Sequence, residues 1–562
     1  MLAVSAVGAD EGRRVIRAAD FGAVGDGRQD DGPAIAAAMQ ALKASSRSVT
    51  LVFEAGKRYR VASMPGDAAN AHVFQLGGAR DIEIDGRGCT FVLRFPLRVI
   101  SVGDSENIDL HDFVFSYDPL PFTQGHVHAV HPELGALDVK LLEGYDLPAF
   151  DDPDAAFNGA WHFCWTFNPS CHVFTNTIKE IDADHTANGV FRVFVQDGVR
   201  GALSHFDLGE TRIVVPTLGV VDGFPQRNGT HSWISGSRNV SLRNITQYAA
   251  PDFSFCLWGN MGQIRVQNVD IRPPEGSGHW IASWRDGFHV KQNRGPVIIE
   301  DCYLEGLLDD CINVSQISLT VDEVGEDGRC HLRVINKEAF PPIEPGFTLE
   351  GWNRVSGKYC GKRTITKVEA GETPGYWSQW VTLDEPLDHL VPDGTTVRLW
   401  VNECANPGTL IRNNKLYGSM RFRSSGRVES NLIRDFLIVK PDGAEGPIAH
   451  DQVYRNNTLP ATGIQTIFAV MREEGMTALP PHDDANPADR IVHGIVFEGN
   501  TIGRPICLFD AQDVRLVDNT FTGDGKFLLR NSGPVTVEGS PEHAVESIGA
   551  GNDVAFIDHQ ER

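Results

Sequence analysis

The stretch Asn239-Val240-Ser241-Leu242-Arg243-Asn244-Ile245-Thr246 returns, place for place, as Gln263-Ile264-Arg265-Val266-Gln267-Asn268-Val269-Asp270, at an offset of 24 residues. Both copies alternate apolar and polar side chains, the pattern of a short strand with one buried face. The pattern is not confined to this pair. Ile82 and Ile84 are followed 26 residues later by Ile108 and Leu110, and Val297-Ile298-Ile299-Glu300-Asp301-Cys302 begins 33 residues after Ile264. Thr409-Leu410-Ile411-Arg412-Asn413-Asn414 is a further copy, and shorter ones are Asn457-Thr458-Leu459, Asn500-Thr501-Ile502 and Asn519-Thr520-Phe521. An Asn at a fixed place in each copy suits a tight turn that needs a left-handed residue, with the next apolar residue facing inward.

A period near two dozen residues, with two or three short alternating strands per copy and almost no helical pattern, predicts an all-β parallel β-helix. A leucine-rich repeat would show its Leu and Asn spacing, and a propeller blade would need a longer period. The open N-terminal end of such a tube needs a lid. Asp31 and Pro33, followed by Ile35, Ala38, Met39 and Leu42 at helical spacing, predict a short capping helix there.

Departures from the period locate the insertions. Asn107 and Asn239 stand 132 residues apart, so about 108 residues leave the helix between them. Val297 and Thr409 stand 112 apart, which leaves about 88 extra. The expected organisation is an N-terminal cap with first coils over 15–121, a β-rich insert over 122–230 and central coils with the site over 231–316. A small β-barrel or sandwich over 317–403, carrying Trp352, Trp377, Trp380 and Trp400, and C-terminal coils over 404–555 complete it. A smaller excess in Pro273 to Trp284 puts His279, Trp280, Trp284 and Arg285 on a loop next to Asp286.

Composition narrows the function. The 562 residues are 41% hydrophobic with 57 Gly and 31 Pro, a globular, turn-rich chain without an apolar run able to span a membrane. A formal charge of −24 argues against a nucleic-acid partner, which needs a basic surface. The ten cysteines show neither CxxC pairs nor Cys/His metal spacing, so no zinc site or dense disulfide framework is indicated. Met1 to Asp10, with a cleavage-like Val7-Gly8-Ala9, reads as a signal-peptide remnant and so as a secreted or periplasmic protein. A homodimer is compatible with this reading.

The chemistry gathers in Trp284 to Val314. Asp286-Gly287-Phe288-His289-Val290 and Asp310-Cys311-Ile312-Asn313-Val314 align at an offset of 24 residues. Stacked strands lie ~4.8 Å apart, so Asp286 and Asp310 should be neighbours on adjacent coils with Asp309 beside them. Three like charges that close cannot all ionise freely, so one pKa should rise and the cluster should titrate as a unit. One protonated acid beside one ionised base is what glycoside hydrolysis with inversion requires. Turn aspartates also cap backbone amides without doing chemistry, and clustered carboxylates also suit calcium, which a lack of further Asp or Glu ligands nearby disfavours. His289 and Asn313 stack in the same way, either as sugar-binding groups or as a satisfied polar ladder. Arg285, Lys291 and Arg294 can hold an anionic group or a ring oxygen, and Trp280 and Trp284 are candidate sugar-stacking platforms.

Phe21-Gly22-Ala23-Val24-Gly25-Asp26-Gly27 with Asp30-Asp31 resembles the opening segment of pectin-acting β-helix proteins, and Asp286 with Asp309-Asp310 resembles the polygalacturonase clan. Within that clan the chain is most similar to glycoside hydrolase family 110, the exo-acting α-1,3-galactosidases. This resemblance is carried by Asp118-Pro119-Leu120-Pro121-Phe122-Thr123-Gln124-Gly125, by Gly306 to Val314 at its distance from Asp286, and by the β-rich insert that follows. It implies a right-handed, pectin-lyase-like β-helix and an inverting exo-hydrolase of terminal α-galactose on an oligosaccharide or polysaccharide, without cofactor or metal. By the same resemblance Asp309 would be the general acid, and Asp286 and Asp310 would hold and activate water. The chain departs from the clan in lacking Gly-His-Gly, and its nearest later basic pair is Arg421 and Arg423. An endo-hydrolase or lyase of acidic polysaccharide, and a non-catalytic carbohydrate-binding β-helix, are the alternatives.

Overall fold

The repeat read from the sequence is the register of the fold. Ile82 pairs in parallel with Ile108, Ile108 with Val240, Val240 with Ile264 and Ile264 with Val297, and all five side chains are buried. The protein is a right-handed parallel β-helix. Its structure, a computed structural model, describes residues 13–45, 48–66, 71–145, 165–167, 178–182, 189–195, 209, 212–216, 231–335, 340–356, 358–370, 378–435, 437–439, 441, 443–460, 466–468 and 490–557. The proposed signal-peptide remnant and Trp377 lie outside these.

Because successive side chains in a strand point to opposite faces, each coil sends alternate residues into the tube. On the face that carries the carboxylates, Phe255, Phe288, Ile312 and Met420 form one buried column across four coils. Toward the N-terminus the tube is filled by aromatic rings, with Phe53 5.1 Å from Phe91 and Phe74 5.2 Å from Phe113. The helix Gly32–Lys43 stands at this end, with Ile35, Ala38, Met39 and Leu42 buried. Asp31 precedes it but its carboxylate does not cap it. Instead it accepts hydrogen bonds from the Val24 and Gly25 amides, at 2.7 and 3.2 Å, and so closes the glycine-rich turn over the tube.

The asparagines divide into two kinds, where the sequence suggests one. Asn107, Asn239, Asn244 and Asn268 are left-handed, as a tight turn requires. Asn457, Asn500 and Asn519 are not. The residues before them, Asn456, Gly499 and Asp518, take the left-handed conformation instead. The side chains of Asn414, Asn431, Asn457, Asn500 and Asn519 form a buried ladder: the Asn414 oxygen accepts from the Cys302 amide at 2.9 Å, and each later oxygen from the backbone amide of the Asn one coil earlier, at 2.9–3.1 Å. Each of these side-chain nitrogens donates to a backbone carbonyl, as Asn457 does to Val428 at 2.8 Å. A buried turn leaves amides and carbonyls without strand partners, and the ladder satisfies them.

Two excursions leave the helix. In the first, Phe122–His131 pairs antiparallel with Ala136–Leu141 and Arg212–Pro216. In the second, the strands Leu319–Val324, Cys330–Val334, Ser378–Leu383, Lys358–Ala370, Thr348–Asn353 and Val397–Val401 close in that order into a barrel. Trp352 and Trp400 are buried. Among the described residues no helix is long and apolar enough to cross a membrane.

Replacing Asn457 by Ala strips hydrogen bonds from both neighbouring rungs. Each buried group left unpaired costs about 1–3 kcal/mol, so the urea midpoint should fall clearly below that of the unaltered protein. An unchanged midpoint would refute the role given to the ladder.

Candidate active site

Four neighbouring parallel strands, Phe255–Trp258, Phe288–Lys291, Ile312–Ile317 and Met420–Phe422, form the floor of the site. Their inward residues are the apolar column already described, so the alternate residues face out. His289, Asn313 and Arg421 share one column and Lys291 and Ser315 the next. The turns that precede the strands carry the carboxylates. Asp286 and Asp310 are joined across adjacent coils through the Gly287 amide, which donates to the Asp310 carbonyl at 2.9 Å.

One oxygen from each of Asp286, Asp309 and Asp310 lies within 4.8 Å of the other two. Their surroundings differ. Asp286 Oδ2 is 2.6 Å from His289 Nδ1. Asp310 accepts a 2.6 Å hydrogen bond from Ser419 Oγ and pairs with Arg421 Nε at 2.6 Å. Asp309 meets Arg285 Nε at 3.8 Å, and its side chain is 31% exposed against 2% for each of the other two. Asp309 is therefore the carboxyl that faces out of the groove.

All three carboxyls are harder to ionise than usual, where the sequence suggests only one. Burial is the largest cause in each case and the like charge of a neighbouring aspartate adds to it, taking Asp286 to about 7 and Asp309 and Asp310 to about 6. Arg421 opposes the rise at Asp310, as does the Ser419 hydroxyl. Burial, with Lys291 close by, holds His289 neutral. Its contact with Asp286 thus carries one proton, on the ring or on the carboxyl.

Several contributors are absent from the sequence-level list. Glu445, on a short strand antiparallel to Gln316-Ile317, accepts hydrogen bonds from Lys291 Nζ at 2.8 Å and Arg423 at 2.6 Å. These cations hold its carboxylate well below the usual range. Lys291 is fully buried and also donates to Asn313 Oδ1 at 2.8 Å and to Ser315, so it supports the floor and does not reach for substrate. Asn313 is likewise buried, a member of this network. Arg285 lies over the Phe253 ring at 4.2 Å, with Asp252 4.0 Å away. Asp252 and Glu445 correct the expectation that no further carboxylates stand nearby. They do not favour a cation, because Arg285 and Arg421 already meet two of the three aspartates.

The loop before Asp286 also needs correction. Ser283 has rejoined the coil, bridging in parallel to Leu307. Trp284 therefore belongs to the coil, and its ring is buried in the tube core where no sugar can stack on it. Trp280 is half-buried between Arg212, at 5.1 Å, and the edge of His126, at 5.2 Å. Arg294 is turned to Glu344 at 2.5 Å. Arg421 has a signal in the sequence: it is one coil beyond Asn313 once the barrel is subtracted. Glu445 has none, since an antiparallel strand outside the repeat delivers it.

No family model matches the chain. It is 23% identical over 489 residues to alpha-1,3-galactosidase B of Akkermansia muciniphila, covering 81% of this chain and 59% of that protein. It is 22% identical over 344 residues to alpha-1,3-galactosidase A of Shewanella woodyi, covering 57% of this chain and 52% of that protein. The resemblance to α-1,3-galactosidases is borne out. The chain spans between half and three fifths of the length of these two relatives. Among solved structures, the Family 28 exopolygalacturonase of Yersinia enterocolitica matches with a TM-score of 0.43 and 13% identity over 94% of this chain and 79% of that one.

The raised carboxyls carry a pH signature. An aspartate whose folded-state pKa lies above its ordinary 3.8 holds a proton that the unfolded chain releases. That contribution to stability is fully present below the ordinary value and is lost as pH rises through about 6 and 7. Asp286→Asn cannot ionise, so its melting temperature should fall less between pH 5 and pH 8 than that of the unaltered protein. An equal or larger fall would contradict the protonated cluster.

Proposed function

We propose that the protein is an exo-acting glycoside hydrolase that removes terminal α-1,3-linked galactose from a glycan with inversion. The observation that carries the reading is the division of three clustered carboxyls into one that faces out, Asp309, and two that are buried, Asp286 and Asp310. Asp309, protonated up to about pH 6, donates its proton to the glycosidic oxygen as the bond to the anomeric carbon breaks. Asp286 and Asp310 hold the attacking water. Oxygens no more than 4.8 Å apart can both be reached by one water at ~2.8 Å from each. Arg421 favours the ionised form of Asp310, which suits it to take the water's proton, and His289 orients Asp286.

This arrangement is tighter than the ~6.5 to 9.5 Å that commonly separates the two carboxyls of inverting enzymes. Inversion here depends on a water shared by the two buried groups Asp286 and Asp310, not on one lodged between acid and base. The choice of galactose and linkage is supported by the names of the relatives. Action at a chain end is supported by what flanks the groove: Gln124 of the first excursion grips the Trp280 loop by accepting from the Trp280 amide at 3.0 Å and donating to the Gly278 carbonyl at 2.8 Å, and the barrel begins directly after Ile317.

Proton NMR of the first-formed sugar from an α-1,3-galactobioside should register β-galactose before mutarotation. Alpha-galactose would overturn inversion, an unsaturated uronide from an acidic polymer would indicate a lyase, and no product from any α-galactoside would overturn the hydrolase reading. Asp309→Asn should lower kcat on the disaccharide by about 10²–10⁴ and much less on an aryl galactoside whose leaving group needs no proton. Equal losses on both would remove the acid role from Asp309.

A further inference from the structure

Asp252 has no part in the mechanism above, yet it stands in register with Asp309, which does, and with Arg285, which meets the Asp309 carboxyl. Phe255, Phe288 and Ile312 pair on successive coils. Three positions before each of them stand Asp252, Arg285 and Asp309. The pairing extends into these turns, since the Ser254 amide donates to the Asp286 carbonyl at 3.0 Å and the Gly287 amide to that of Asp310 at 2.9 Å. The result is a column of acid, base and acid, with Arg285 Nε 4.0 Å from Asp252 Oδ1 and 3.8 Å from Asp309 Oδ2. The guanidinium rests on the Phe253 ring at 4.2 Å, and the other side of that neighbourhood is the His289 ring, 4.2 Å from Phe253. Ser283 Oγ donates to the Asp252 carbonyl at 2.8 Å and fixes the turn.

We propose that Asp252 is a positioning residue for the reaction: it shares Arg285 with Asp309, and by dividing that cation's field it keeps Asp309 able to hold the proton it must donate. The inference rests on the assignment of Asp309 as general acid. Were Arg285 committed to Asp309 alone, the undivided ion pair would favour the carboxylate and remove the acid. Were Arg285 missing, Asp309 would keep its proton but lose a partner that orients it. The other charges around the column are accounted for. Asp309 also faces Asp286, Arg421 and Glu445; Asp252 also faces Asp286 and Arg98; Arg285 also faces Asp286 and the thiol of Cys256. Burial raises Asp252 itself to about 7, so its own ionisation falls close to the range in which Asp309 titrates.

The test is the pH profile of kcat/KM on an α-1,3-galactobioside for the unaltered protein, Asp252→Asn, Asp252→Glu and Arg285→Gln, each first checked for an unchanged melting profile. Asp252→Asn should move the alkaline limb to lower pH by about 0.5 to 1 unit, Arg285→Gln should move it upward, and Asp252→Glu should restore it. On an aryl galactoside with a good leaving group the displacement should shrink. An unmoved limb in Asp252→Asn, or a uniform loss of rate with no displacement, would reduce Asp252 to a structural residue and overturn the inference. Should Asp252→Asn fail to fold, Asp252→Ser takes its place, and an alkaline limb that does not move to lower pH in that variant overturns the inference. If the unaltered protein hydrolyses no α-galactoside, it is the proposed function that fails.

Discussion

Parallel pairing between coils is the constraint from which the rest follows. Strands ~4.8 Å apart in fixed register turn a one-dimensional spacing into columns, so that a residue's neighbours in space are its counterparts one period away. Inward columns are apolar and supply the core, as Phe255, Phe288, Ile312 and Met420 do. Outward columns carry whatever the surface needs. The same rule that stacks phenylalanines inside stacks His289, Asn313 and Arg421 outside and puts two aspartates side by side in the turns. A slip of one residue between coils would exchange the two faces, so core and site are specified together.

Collecting carboxyls in one groove has an electrostatic cost that the neighbouring cations offset unequally. Glu445 engages Lys291 and Arg423 and stays ionised, which anchors two buried positive charges away from the aspartates. Arg421 is left to act mainly on Asp310, and Arg285 on Asp252 and Asp309. Asp286 is given an imidazole and no cation of its own, and it is among the most strongly raised. The three aspartates are alike as residues, and burial is the largest cause of the raised pKa in each. What separates their roles is which partner each one meets and how far it is open to solvent.

Much of this was legible in the sequence because it repeats. Val240 to Ile264 and Asp286 to Asp310 are offsets that can be counted, and a period near 24 residues in alternating strands admits few folds. Countable too, though easily overlooked, was the column Asp252, Arg285 and Asp309, since its first step spans the irregular 33-residue coil. Trp284 was misread because a loop's composition does not reveal where the chain rejoins the coil. Of the turn asparagines, Asn457, Asn500 and Asn519 were misread by one position, since Asn suits both a left-handed turn and a buried amide ladder. Glu445 was not readable at all: it arrives on an antiparallel strand, and nothing in its local sequence encodes the partner.

Guanidinium groups suit this cluster better than a metal ion would, for a reason that follows from the chemistry proposed. A divalent cation bound by the three aspartates would favour the ionised form of every one of them. The site would then have bases and no acid. Arg421 and Arg285 are single charges held at opposite edges, one 2.6 Å from Asp310 and the other 3.8 Å from Asp309 and shared with Asp252. Such a field is uneven. It is strongest where a carboxylate is wanted and weaker where a carboxyl must keep its proton, and the planar, always-charged guanidinium keeps that unevenness fixed through the pH range in which the aspartates titrate. In the proposed reaction the buried pair would hold water and Asp309 would carry the proton, and Arg421 and Arg285 favour that division by acting at opposite edges of the cluster.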